Sequence, residues 1–340
     1  MRYNVTIQET LARTVQVEAG TQREAELAVS RLYRDSEIVL SCDDYVVTRI
    51  TADRYLPYYK SPSNDFTLIQ GDCVETLSKF RFGFDMVFAD PPYFLSGGGI
   101  SYQSGKVVCV DKGEWDKPTT TEEMDAFNLR WLSAVREHMK NDATIWVSGT
   151  HHNIFSVQQQ LLKLGFKILN VITWAKTNPP PNVSCRYFTY STEFIIWARK
   201  SPRVPHFFNY RLMKELNGDK QMTDVWRLPA IGVWEKTCGK HPTQKPLGIQ
   251  ASTEPCAWIL DPFSGSATTG IAANLLGRRY LGLETEEKFL GMSRARREEI
   301  ENEETRQAYV SRLVKSGIIL SPDTSSVADD SDFGYGVPWL

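Results

Sequence analysis

The sequence predicts an α/β protein: a largely parallel sheet with helices on both faces, preceded by a small β-β-α-β module. Three observations predict it. From about residue 65 onward, short continuous apolar runs alternate with helical stretches, as in a sheet buried on both sides. Two of these runs stop at Asp-Pro, once at Asp90-Pro91 and once at Asp261-Pro262. The first stretch of about 50 residues has its own pattern and is set off by Tyr55 to Asn64, with two prolines and several polar residues.

Within the module, Tyr3 to Ile7 and Arg13 to Val17 alternate as strands, Gln22 to Tyr33 is rich in Glu, Ala and Leu as a helix, and Tyr45 to Ile50 is a third strand. In the larger domain, strands are expected at Met86 to Ala89, Ala143 to Ser148, Ile168 to Trp174, Phe194 to Trp197, Trp258 to Leu260 and Tyr280 to Leu283. Helices are expected at Thr121 to Lys140, Phe155 to Leu164, Thr268 to Leu276 and Glu286 to Leu313. Residues 1–58 and 65–315 thus form two domains, and Ser321 to Leu340, with four Asp among Ser, Gly and Pro, reads as a flexible acidic tail.

With 340 residues, 41% of them hydrophobic, the chain can bury a normal core. No apolar run reaches membrane-spanning length and the start lacks a secretory pattern, so an intracellular, cytoplasmic protein is expected. The six cysteines are scattered without zinc-ligand spacing and read as reduced, mostly buried thiols; no metal is expected. His151-His152 reads as loop residues at a strand end.

The net charge of -2 conceals an uneven distribution. Residues 176–250 hold twelve Lys or Arg against five Asp or Glu, a surplus of seven. Trp197, Phe207, Phe208, Tyr210, Trp226 and Trp234 lie among them. Basic residues interleaved with aromatics suit phosphate contact and base stacking, although core aromatics under a solvated surface would read the same way.

The run Trp258 to Gly270 passes from a strand through a small-residue turn, Asp261-Pro262-Phe263-Ser264-Gly265-Ser266-Ala267, into a helix starting near Thr268. Ligands of open α/β sheets bind at such carboxyl ends. Gly265 allows close backbone approach, and Glu284, about 20 residues on, stands where an acid accepts ribose hydroxyls. No Lys follows the glycine, which argues against a phosphate-binding loop. The other Asp-Pro site is Asp90-Pro91-Pro92-Tyr93, where two prolines end the strand. It gathers a carboxylate, a carbonyl and an aromatic ring. An aromatic amine is a poor nucleophile, and acceptors at Asp90 and the Pro91 carbonyl would draw its nitrogen toward tetrahedral geometry while Tyr93 stacks on the ring.

Taken together, these motifs resemble the β-group amino-methyltransferases of DNA, in which the catalytic tetrapeptide precedes the cofactor turn. Gly71-Asp72-Cys73, Thr192 to Ala198 and His241-Pro242-Thr243-Gln244-Lys245-Pro246-Leu247 fit the same family. More narrowly, Phe94 to Ile100, Lys112 to Lys117 and Asn178 to Asn182 resemble the DpnA-like adenine methyltransferases, and the first 55 residues resemble a DpnD/PcfM-type module. The resemblance implies a Rossmann-like fold, S-adenosyl-L-methionine as methyl donor, and adenine N6 of a flipped base in GATC as acceptor, in double-stranded and also single-stranded DNA. It implies catalytic Asp90, Pro91, Pro92 and Tyr93. It places Asp72, Cys73, Asp90, Thr243, Lys245, Asp261, Phe263, Gly265, Ser266, Thr268 and Glu284 around the cofactor, and residues 176–240 on the DNA. The chain would be a monomer or homodimer, with an N-terminal module that binds another protein. Two positions depart from the family: Ala267 replaces a usual Gly, and Leu247 to Asp261 is shorter than the usual helix by more than a turn. Cytosine-N4 methylation and a catalytically silent DNA-binding relative are the alternatives.

Overall fold

Three described elements make up the unit Met1–Leu56: β1 (Asn4–Leu11), α1 (Gln22–Arg34) and β2 (Tyr45–Asp53). β1 and β2 pair antiparallel, Ile7 opposite Ile50. The computed structural model describes residues 4–34, 37–41, 44–53, 57–79, 81–94, 100–103, 106–109, 120–177, 179, 181–182, 185–228 and 253–315. The strand expected at Arg13 to Val17 does not form, so the module is β-α-β. Arg13 instead donates to both carboxylate oxygens of Asp44, at 2.6 and 2.7 Å, and the Ala12 N–H donates to the Asp44 carbonyl at 2.8 Å. The tether takes up this stretch, and its alternating Val15 and Val17 are only half-buried.

The second unit, Pro57–Leu340, begins with β3 (Tyr59–Lys60), β4 (Phe66–Gln70), α2 (Cys73–Leu77) and β5 (Phe84–Ala89). A hairpin, β6 (Ile100–Gln103) and β7 (Lys106–Cys109), follows. Next come α3 (Thr121–Glu137), β8 (Met139–Gly149), α4 (Ile154–Lys163), β9 (Lys167–Lys176) and β10 (Thr192–Arg199). The chain continues through α5 (Tyr210–Leu216), β11 (Val225–Leu228), β12 (Trp258–Asp261), α6 (Thr268–Leu275), β13 (Arg279–Glu284), α7 (Glu287–Glu299) and α8 (Glu303–Lys315).

Nine strands form one sheet in the order β11-β9-β10-β8-β5-β12-β13-β4-β3. β8, β5, β12, β13 and β4 are mutually parallel, β10 runs antiparallel between β8 and β9, and β3 is antiparallel to β4. The two strands ending in Asp-Pro, β5 and β12, are therefore parallel neighbours, with Met86 beside Ile259 and Val87 beside Leu260. Their carboxyl ends open on the same edge of the sheet. Helices α2, α3 and α4 pack on one another as one layer, and α6 packs on α7 and α8 as another. The core between sheet and helices includes Phe66, Leu68, Met86, Phe88, Ile195, Ile259, Ile271 and Tyr280, all buried. The rings of Phe66 and Tyr280 lie 4.9 Å apart, and a Cβ added at Gly270 would come within 2.6 Å of both side chains. That contact explains a glycine inside α6.

The helix beginning at Thr121 stops at Glu137 rather than Lys140, because Met139 already pairs with Phe84 and the His138 carbonyl accepts the Phe84 N–H at 2.7 Å. Its start carries a capping box, with Thr120 accepting from Glu123 N at 3.2 Å and Glu123 accepting from Thr120 N at 3.1 Å. The long helix Glu286 to Leu313 is two helices. Ile300 is buried, and the Asn302 side chain accepts the Thr305 N–H at 2.9 Å to start α8. Trp197 is a core residue, stacked on Trp146 at 5.0 Å, and the Trp226 ring lies 6.0 Å from that of Trp146. Phe207, Phe208 and Tyr210 remain exposed, and Trp234 lies outside the described residues. Among described cysteines Cys73 is buried, whereas Cys185 and Cys256 are exposed at turn positions with φ of 52° and 62°. The tail from Ser321 lies outside the described residues, as do residues 247–252 of the shortened segment from Leu247 to Asp261.

Candidate active site

β5 ends at Asp90 because Pro91 and Pro92 offer no N–H to continue its ladder. The Asp90 carboxylate is held from two sides: its Oδ1 accepts the Ser148 hydroxyl at 2.5 Å and the Tyr93 hydroxyl. Ser148 lies near the end of the adjacent strand β8, and Asn153, just beyond, donates to the Pro92 carbonyl at 3.4 Å. The sequence assigns the Tyr93 ring to base stacking; the structure has that ring 3% exposed and brings its hydroxyl to the site. Burial, then the Asp90 charge, holds the Tyr93 phenol well above its ordinary pKa, so it remains a donor.

The turn after β12 is built around groups that point inward. Asp261 is buried at 3% exposure, and its Oδ1 accepts the Phe263 N–H at 3.1 Å. The backbone then needs left-handed geometry twice, at Gly265 (φ 51°) and Ala267 (φ 54°). The Gly265 N–H donates to Glu284 Oε2 at 2.8 Å, which ties the turn to the end of β13. Glu284 Oε1 accepts the Glu286 N–H at 2.9 Å. Ser266 and Thr268 are fixed by a residue the sequence reading misses. Arg296 of α7, 5% exposed, donates through one Nη1 to the Ser266 carbonyl at 2.7 Å, the Ser266 hydroxyl at 3.1 Å and the Thr268 hydroxyl at 3.0 Å.

A cavity of about 270 Å³ lies between these two strand ends. Among the sequence-predicted residues, Asp72, Cys73, Asp90, Pro92, Phe263 and Glu284 line it. Asp261, Gly265, Ser266 and Thr268 are not in the lining and support the wall, while Pro91 is buried beside Asp90. Thr243 and Lys245 lie outside the described residues. Asp72 also caps α2, accepting from Val74 N at 2.9 Å and Glu75 N at 3.1 Å. The Cys73 thiol is pushed up to about 12 by burial and by Asp72, so it lines the cavity as a neutral apolar group. The aromatic wall of Phe94, Phe127 and Phe289 is not anticipated from the sequence. The described lining holds three carboxylates and no Lys, Arg or His, which suits a cationic nucleoside and opposes a phosphorylated one. S-adenosyl-L-methionine fits this donor set. The aromatic wall would take its adenosine, and Glu284 Oε2, which accepts the Gly265 N–H, would keep a second lone pair for a ribose hydroxyl.

Asp261 gives a pH signature. Burial first, with Asp90 and Glu284 adding repulsion, raises its carboxyl from 3.8 to about 7. The folded chain therefore holds a proton that the unfolded chain releases, and the group's penalty accumulates as pH rises from about 4 to 7, at roughly 1.4 kcal/mol per unit. Asp261→Asn keeps an acceptor for Phe263 and removes the charge. Thermal unfolding across this window should show the variant losing less stability toward pH 7 than the wild type; parallel curves would contradict the assignment.

Ala267 has opposing contributions. Its left-handed backbone costs about 1–2 kcal/mol, whereas the fully buried methyl contributes about 0.8 kcal/mol and the lower chain entropy a further 0.5–1 kcal/mol. Ala267→Gly is therefore expected to change unfolding free energy by under about 0.5 kcal/mol in urea titration. A loss above about 2 kcal/mol would show that methyl packing dominates.

The DNA methylase (N6/N4) family model matches residues 84–294, and the DpnD/PcfM-like protein model matches residues 3–47. The chain is 56% identical over 253 residues to the type II methyltransferase M2.MboI of Moraxella bovis, covering 73% of this chain and 93% of that one. It is 52% identical over 254 residues to the type II methyltransferase M2.DpnII of Streptococcus pneumoniae, covering 73% and 94%. Among solved structures, the PvuII DNA methyltransferase (cytosine-N4-specific) aligns with a TM-score of 0.57 at 20% identity, covering 76% of this chain and 95% of that one. The M1.HpyAVI-SAM complex aligns at 0.52 and 24%, covering 68% and 98%; both likenesses concern the fold. With a catalytic strand and a cofactor strand side by side and these relatives along most of its length, the chain belongs to the N6/N4 DNA methylase family and is an S-adenosyl-L-methionine-dependent DNA methyltransferase.

Proposed function

We propose that this methyltransferase acts on adenine N6 of a base flipped from GATC, in duplex and in single-stranded DNA. The observation that carries the reading is the position of Asp90, which lines the cavity together with Glu284 while the hydroxyls of Ser148 and Tyr93 fix its carboxylate. The adenine choice and the GATC site rest on the resemblance to DpnA-like enzymes.

When bound, S-adenosyl-L-methionine supplies a methyl group on a sulfonium. The protein's task is to present the acceptor nitrogen to it. Asp90 and the Pro91 carbonyl accept the two N–H bonds of the amine, so its lone pair turns out of the ring plane toward the methyl group. Because Ser148 and Tyr93 are already bonded to Asp90, the carboxylate needs little rearrangement when the base arrives. The target base must leave the duplex to reach this depth. The basic surplus of residues 176–240 serves the DNA backbone.

The test is DNA from cells expressing the chain, challenged with an endonuclease that cuts GATC only when adenine is unmethylated. Resistance is expected. Full cleavage of DNA that contains methylated adenine would refute the site.

A further inference from the structure

Three residues past Ser148, the chain places His151 and His152 beyond the end of β8. β8 is parallel to β5 and β10 is antiparallel to both β8 and β9. The carboxyl end of β9 therefore opens on the same edge as Asp90, and the segment from Lys176 to Thr192 spans that edge. Its described residues build a row of rings with His151. Tyr187 and Tyr190 have centroids 5.6 Å apart, Tyr190 stacks on His151 at 4.4 Å and 13°, and His151 meets His152 at 3.8 Å. The segment is held by Asn182, which donates to the Tyr187 carbonyl at 2.6 Å.

These rings are presented to solvent. Tyr187 is 59% exposed, Tyr190 57% and Phe188 95%. A single exposed aromatic is ordinary, but the row of Tyr187, Tyr190 and His151, with exposed Phe188 next in sequence to Tyr187, marks a contact surface. Arg186 is exposed next to Tyr187, within the part of the chain that carries the surplus of seven positive charges. Flat rings beside cations suit nucleobases joined by phosphates. The row also lies on the sheet edge that carries Asp90.

We propose that Tyr187, Phe188, Tyr190 and His151 form a stacking surface for the nucleobases flanking the methylated base, on a strand that has left the duplex. The inference rests on the DNA-directed function proposed above. Stacking tolerates any base, so the surface adds affinity for opened DNA without reading sequence.

The full chain, with S-adenosylhomocysteine present, is titrated by fluorescence anisotropy against two labelled single strands: one containing GATC, and the same strand made abasic at the positions flanking the target base. The wild type should bind the abasic strand about tenfold more weakly. The Phe188→Ala/Tyr190→Ala variant should bind the normal strand about tenfold more weakly than the wild type and the abasic strand equally well. Tyr190→Phe should bind like the wild type, and calorimetric S-adenosylmethionine binding by all variants should be unchanged, which controls for folding. Equal wild-type affinity for both strands would overturn the proposal, as would an equal variant loss on the abasic strand. So would unchanged DNA binding with loss of self-association, because the rings would then contact protein. A wild type that discriminates the strands yet methylates no DNA would count against the function and leave this surface standing.

Discussion

Asp90→Ala is expected to lower kcat by at least about a thousandfold, while S-adenosylmethionine affinity falls less than about tenfold. The asymmetry follows from position. In the proposed reading Asp90 stands at the reacting end of the cavity it lines, whereas Glu284 and the aromatic wall would hold the nucleoside. Removing the carboxylate also leaves the hydroxyls of Ser148 and Tyr93 without the acceptor they share. Asp90→Asn keeps an oxygen for both hydroxyls but loses the charge and turns the other acceptor oxygen into an NH2 donor, so its rate should lie between those of the wild type and the alanine variant. Single-turnover methyl transfer and calorimetry separate the two quantities. Equal losses in kcat and in cofactor affinity would assign Asp90 to cofactor binding alone.

Arg296→Ala should be the most destabilising of the substitutions considered, by about 3 kcal/mol. It deletes a buried side chain and strips a donor from the Ser266 carbonyl and from the Ser266 and Thr268 hydroxyls at once. Arg296→Met retains bulk and should recover part of the loss. Because Arg296 pins the turn whose Gly265 N–H reaches Glu284, both variants should bind S-adenosylmethionine more weakly, with a smaller effect on kcat at saturating cofactor. Denaturant titration and calorimetry check this. A variant that is destabilised but binds the cofactor normally would make Arg296 a packing residue only.

The legible part of the site was local in sequence. Asp90 and Asp261 each close an apolar strand and are followed by proline, so strand, stop and acid could be read from a few consecutive residues, and the structure places the two strands side by side. The neighbours that make the site work come from far away in the chain. Ser148 is 58 residues from Asp90 and Arg296 is 30 residues from Ser266. Arg296 sits in a run of Arg and Glu that reads as a solvated helix face; its burial depends on how α7 packs on the turn. Ser148 left a weak trace, a hydroxyl closing the apolar run Ile145-Trp146-Val147. The orientation of Tyr93 left none, since a ring in a tetrapeptide can stack or anchor equally well. The strand expected at Arg13 to Val17 failed for a related reason: alternation was present, but the Arg13 to Asp44 tether took the backbone elsewhere. The break after α7 was masked by helix-forming residues on both sides, and only Asn302, a capping residue, marked it.

The central claim is that Asp90, held beside the cofactor cavity, directs methyl transfer to adenine N6. The most direct measurement incubates the purified chain, or its Asp90→Ala variant, with S-adenosylmethionine carrying an isotopically labelled methyl group and a GATC-containing duplex, then digests the DNA to nucleosides for mass spectrometry. Labelled N6-methyladenine from the wild type and none above background from the variant is the predicted result. Labelled N4-methylcytosine, or equal N6-methyladenine from both proteins, would contradict it.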